Sequence, residues 1–175
     1  FYHTTFLHNV ASIISQRSLL ANHGESICQS KNGLVSLADR ITGGIVEFCG
    51  NVVLEFDALA LFSRNPSIAP RDYGVDEDNV ERCEELPFFE NEWTSPEQVI
   101  FELKDINKVL LITSRDFKER SFDPVTALLK NNRISYSFVA ERHLSDNIAS
   151  DTTRYFFRLE NWLNNEANRG GSLWQ

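Results

Sequence analysis

The chain has 175 residues, 42% hydrophobic and 24% charged, which fits one globular domain and excludes a disordered or fibrous protein. A formal net charge of −8 argues against tight non-specific binding to duplex nucleic acid, which needs a basic face, and no apolar run approaches the ~18 residues of a membrane span. There is no basic-then-apolar signal segment, and Cys28, Cys49 and Cys83 match no zinc spacing, so the expectation is a cytoplasmic protein with reduced thiols; with no Met in the chain, native residues are expected ahead of Phe1.

Residues 1–5 read as a short strand, and Leu7, Val10, Ile13 and Ile14 then fall at helical spacing over 6–17, with Thr5 as the expected N-cap. A loop-rich stretch over 21–33 precedes a strand at 34–37, and Asp39 to Gly44 reads as a turn or loop. The β-branched run 51–57 is the clearest early strand, followed by a short helix at 58–62. Residues 64–80 contain Pro66, Pro70, Gly74 and the acidic run Asp76-Glu77-Asp78, and read as one long surface loop. Strands are expected at 98–103, 108–112 and 134–139, and a helix at 123–131 with Asp123 as cap and Pro124 in its first turn. Thr152 to Asn165 reads as an amphipathic helix. Mixed short strands with few helices, and no repeat or linker, predict a single α+β domain over 1–175.

Three groups carry potential chemistry. Tyr2-His3-Thr4 places an imidazole between hydroxyls at a strand end, a set suited to a ribose or an amide; a hydrogen-bonded structural histidine is the plainer alternative. Ser36, followed by Asp39 and Arg40, offers a hydroxyl and a planar cation that fits phosphate oxygens; a solvated turn is the alternative. Glu90 and Glu92 share a face if their segment is extended, and such a pair suits stabilisation of positive charge at a sugar carbon or acid–base work; Glu84, Glu85 and Glu97 are neighbouring carboxylates, and a solvated acidic loop is the alternative. No metal spacing is present among the histidines.

The order Tyr2-His3-Thr4, then Val35-Ser36-Leu37, then Glu90-x-Glu92 resembles the ADP-ribosyltransferase superfamily. The opening from Tyr2 to Ile14, with Val35 to Arg40 and Val52 to Asp57, is similar to its bacterial and phage toxin- or defence-associated branch, which includes enzymes that modify DNA. The resemblance covers roughly residues 1–113 and implies split mixed β-sheets with flanking helices. It implies NAD as co-substrate, bound by Tyr2, His3, Thr4, Ser36 and Arg40. Glu92 would stabilise the oxocarbenium ion as nicotinamide leaves, and Glu90 would orient the acceptor, a nucleic acid or a protein. It also implies a possible antitoxin or immunity partner. An inactive binding module of the same fold and an NAD glycohydrolase are the competing expectations.

Overall fold

The aromatic and β-branched residues Phe1, Tyr2, Thr4 and Thr5 at the start of the chain, and the run from Val52 to Phe56, generate the two strands around which the rest is organised. The structure is a computed structural model and describes residues 1–21, 33–38, 41, 49–72 and 91–144, with 69–72 and 91–92 described as backbone only. The described strands are β1 (Tyr2–Thr5), β2 (Ser18–Leu19), β3 (Val35–Ala38), β4 (Val52–Phe56), β5 (Ala69–Asp72), β6 (Asn91–Ser95), β7 (Val99–Ile100), β8 (Ile106–Thr113) and β9 (Tyr136–Ala140). Three α-helices are described: α1 (Val10–Gln16), α2 (Ala58–Arg64) and α3 (Asp123–Asn131).

Seven strands form one sheet in the order β5-β6-β3-β1-β4-β8-β9, and β2 pairs with β7 in a separate ribbon. Neighbours are antiparallel except β8 and β9, whose parallel pairing requires a crossover; α3 supplies it. The α+β class with a mixed sheet therefore holds. Among the described residues the main sheet is continuous in its strand pairing from β5 to β9.

Period-two alternation sorts the side chains onto two faces. Val35, Leu37, Val52, Leu54, Phe56, Trp93, Val109 and Leu111 belong to the main core, where they meet Val10, Ile13 and Ile14 of α1, Leu61 and Phe62 of α2, and Val125 and Leu129 of α3. Each fully buried aliphatic or aromatic side chain contributes about 1.5–3 kcal/mol. Phe1, Phe62 and Trp93 pack as an aromatic trio, with ring centroids 5.1–5.5 Å apart. Val53 and Ile112 lie on the opposite face with Tyr2, Ile41, Leu110, Val139 and Leu144.

Two polar devices tie the ribbon to the sheet. Asn65, buried after the end of α2, donates to the Leu61 and Ile100 carbonyls and accepts from the Ile100 amide at 2.7 Å, replacing a strand partner for β7. Buried Asp105 accepts from Arg64 Nε at 3.0 Å and from the Glu102 amide at 2.7 Å, which offsets the cost of enclosing its charge.

Several sequence expectations shift. Thr5 does not cap α1: a 3₁₀ turn at Leu7–Asn9 moves the helix start to Val10, and the Thr5 hydroxyl accepts instead from Asn9 Nδ2 at 3.3 Å. Asp123 is the first residue of α3 rather than its cap, because the 3₁₀ turn Glu119–Phe122 runs directly into the helix; Pro124 is in the first turn as expected. The stretch 64–80 is not one loop, since it contains β5. The strand expected over 98–103 is only β7, cut short by the capping box that Glu102 and Asp105 form around a 3₁₀ turn. The helix expected over 152–165 lies outside the described residues.

Candidate functional site

Strand order brings together segments far apart in sequence. β1, β3 and β6, which carry positions 2–4, 36 and 92, are consecutive neighbours in the sheet. The register fixes their rows. Arg71 pairs with Glu92, Glu92 with Ala38, Ala38 with Tyr2, Tyr2 with Glu55, and Glu55 with Lys108, so one row crosses six strands. Two residues along, Thr94 pairs with Ser36, and Ser36 stands level with Thr4 in the antiparallel β1–β3 register. Two strand spacings separate the backbone of Glu92 from that of Tyr2, about 10 Å.

These rows share a face. Tyr2 packs with the second-face group of Val53 and Leu110, and directly opposed residues in antiparallel strands lie on the same side of the sheet. Tyr2, Thr4, Ser36 and buried Thr94 therefore gather four hydroxyls on this face. Ala38, with only a methyl group, sits between Tyr2 and the position of Glu92, and leaves a low point over β3.

His3 is on the other side. It pairs with Leu54 of the main core, and shares the parity of Phe1, which packs there. His3 and the Ser36 hydroxyl thus do not line one face, contrary to the expectation from sequence: alternation along β1 sends His3 opposite to Tyr2 and Thr4. The imidazole still reaches β3, because its Nδ1 lies 3.0 Å from the Ser36 carbonyl oxygen. A carbonyl only accepts, so Nδ1 carries the proton and the neutral ring keeps its lone pair on Nε2. Burial pushes the His3 pKa below its ordinary value by disfavouring the imidazolium, while the Ser36 bond opposes the shift. His3 is a strap between β1 and the main chain of Ser36.

The end of β1 is fixed by a second close approach. Gly50 has φ +111°, and a Cβ there would overlap the Thr5 carbonyl and lie 2.6 Å from the Phe6 nitrogen. Glycine alone allows β4 to enter so tightly beside β1.

The carboxylate expectations divide. Glu92 lies in a five-residue strand that ends at Ser95, immediately before Pro96, so that proline bounds the strand without preventing it. Glu97 is exposed in the following turn. Glu90, Glu84, Glu85 and Arg40 lie outside the described residues. Thr94, Glu55 and Lys108 have no signal of their own in the sequence, because only strand pairing reveals who stands beside Tyr2 and Glu92. Among the described residues no group of three His, Cys, Asp or Glu is arranged to hold a metal ion, and no helix is long and apolar enough to cross a membrane. No known family model and no curated protein matches the chain.

Proposed function

We propose that the chain is a mono-ADP-ribosyltransferase that takes ADP-ribose from NAD and transfers it to a macromolecule, a nucleic acid or a protein, in a cytoplasmic toxin or phage-defence setting, where an antitoxin or immunity protein is the natural counterpart. The observation that carries this reading is the adjacency of β1, β3 and β6, which gathers four hydroxyls and the backbone of Glu92 around the low point at Ala38.

The donor set suits a ribosyl group. Hydroxyls both donate and accept, and so can pair with the sugar hydroxyls and a carboxamide. NAD supplies a glycosidic bond whose leaving group already carries positive charge, so its departure needs no strong acid. As that bond lengthens, positive charge develops at C1′, and the carboxylate of Glu92 stabilises it. Tyr2, Thr4 and Ser36 bind the nicotinamide-side ribose and amide. His3 acts behind them by fixing the Ser36 main chain. Arg40 contacts the diphosphate, and Glu90 orients the acceptor.

Incubation with NAD labelled in the adenylate half, with and without nucleic acid or lysate, tests this reading. Nicotinamide release with label on a macromolecule supports it. Release without a labelled macromolecule assigns a glycohydrolase, and neither release nor a thermal shift with NAD assigns a binding module and overturns the enzyme reading.

A further inference from the structure

One polar group at the end of the hydroxyl-bearing face is left without a partner. Asn51, just ahead of β4, is 9% exposed, and its Nδ2 is buried with no hydrogen-bond partner among the described residues. Its carbonyl accepts from the Ile112 amide at 2.9 Å, so its main chain is tied into the sheet while its side-chain donor is not. An unpaired buried amide costs about 1–3 kcal/mol, and most buried polar groups avoid that cost by finding a partner. The register places Asn51 on the face of Tyr2 and Thr4: it opposes Ile112 and lies two residues from Val53, both of which belong there. On its other side it stands level with Phe6, one residue beyond the Thr5–Val52 pair. Gly50, lacking a side chain, lets this corner close against the Thr5–Phe6 peptide. Phe6 is 48% exposed and its backbone is still extended, at φ −75° and ψ 150°. Its side chain therefore follows Tyr2 and Thr4 in the alternation, while Leu7 turns to the main core. The exposed His8 ring lies nearly parallel to that of Phe6, with centroids 5.8 Å apart and planes 9° apart, and broadens the flat surface.

We infer that Phe6 and Asn51 form a base subsite for an adenine nucleotide: the purine stacks on the Phe6 ring, and one of its ring nitrogens accepts from Asn51 Nδ2. Stacking on an aromatic side chain contributes about 1–3 kcal/mol per base, and a donor that gains its missing acceptor adds to that. The terminal torsion of an asparagine is broad, so a small rotation of the amide presents Nδ2 at its open edge. The inference rests on the functional reading above for which half of NAD lies here. Asn51 is three strands from β6 and four residues along β4 from Glu55, which shares the row of Glu92. That is about 14 Å across the strands and about 13 Å along them. A dinucleotide whose nicotinamide-side ribose lies over Ala38 therefore reaches this corner with its adenosine half.

NMR titration of the intact chain with AMP and, separately, with nicotinamide mononucleotide tests it. AMP is expected to shift the Asn51 side-chain NH2 signals, identified by their loss in Asn51→Asp, together with the ring signals of Phe6 and His8. Nicotinamide mononucleotide is expected to leave them in place. Asn51→Asp exchanges the donor for an acceptor at constant size and weakens AMP binding by about tenfold or more. Phe6→Leu, at a half-exposed position where the fold is retained, does the same, and Phe6→Tyr keeps the affinity within about threefold of wild type. Asn51 signals unmoved by millimolar AMP overturn the inference, as does a Phe6→Leu protein that binds AMP like wild type. Nicotinamide mononucleotide shifting the Asn51 signals more than AMP does also overturns it, because the other half of NAD then lies here. A chain that binds AMP as expected but releases no nicotinamide from NAD overturns the functional reading and leaves the base subsite standing.

Discussion

Replacing His3 separates the strap from the ring that provides it. Asparagine can place its Nδ2 donor near the position of the imidazole Nδ1, and alanine cannot. In His3→Ala the 3.0 Å bond to the Ser36 carbonyl is lost, and an acceptor on the inner strand β3 is left without its partner. The lost bond costs about 1 kcal/mol and the unpaired carbonyl adds about 1–3 kcal/mol, or about 2.5 kcal/mol together. For a chain of this size that lowers Tm by about 5–10 °C, whereas His3→Asn stays within about 3 °C of wild type. Thermal and urea unfolding of both variants, at pH 7.5, reads the difference. Equal losses in the alanine and asparagine variants refute the strap.

The same residue gives a pH signature. The native His3 pKa lies below the unfolded value of about 6.5, so as pH falls beneath that value the unfolded chain takes up a proton that the native chain refuses. Its contribution is complete above pH ~6.5 and is lost progressively as pH drops toward the depressed native value. His3→Asn has no such group, so wild-type stability falls more steeply than that of the variant between pH ~6.5 and ~5. Parallel curves contradict a buried neutral imidazole.

Gly50→Ala forces a side chain onto the Thr5 carbonyl at φ +111°, and is expected to cost about 3–5 kcal/mol, read as a drop in urea midpoint; a change under 1 kcal/mol shows that β4 does not approach β1 so closely. Ala38→Leu fills the low point between Tyr2 and the position of Glu92 while leaving Ala38's half-buried place in β3 intact. It is expected to change stability by less than about 1 kcal/mol and to weaken NAD binding at least tenfold by calorimetry, and unchanged affinity moves the site off this face.

The sequence is informative where one strand or helix decides its own pattern. β1, β4, β8 and α3 follow from alternation, β-branching and helical spacing, and the order of hydroxyl and carboxylate segments along the chain corresponds to three neighbouring strands. What the pattern cannot show is pairing. The place of His3 opposite to Ser36 follows from parity along β1, which was available in principle, since Phe1 and Thr5 share its face. Thr94 beside Ser36, and Arg71 beside Glu92, depend on β6 lying between β3 and β5, a non-local outcome that no window of sequence contains. The β5 segment reads as loop in the sequence because Pro66 and Pro70 are turn signals; Pro70 is accommodated because β5 is an edge strand among those described, where a missing N–H is cheap.

The most direct measurement is NAD turnover by wild type against Glu92→Gln, matched in Tm, with nicotinamide followed by chromatography. Removal of the charge proposed to stabilise C1′ is expected to lower kcat by about 100-fold or more with KM for NAD changed less than fivefold. A folded Glu92→Gln protein that releases nicotinamide at the wild-type rate contradicts the assignment of this carboxylate, and with it the site built around Ala38.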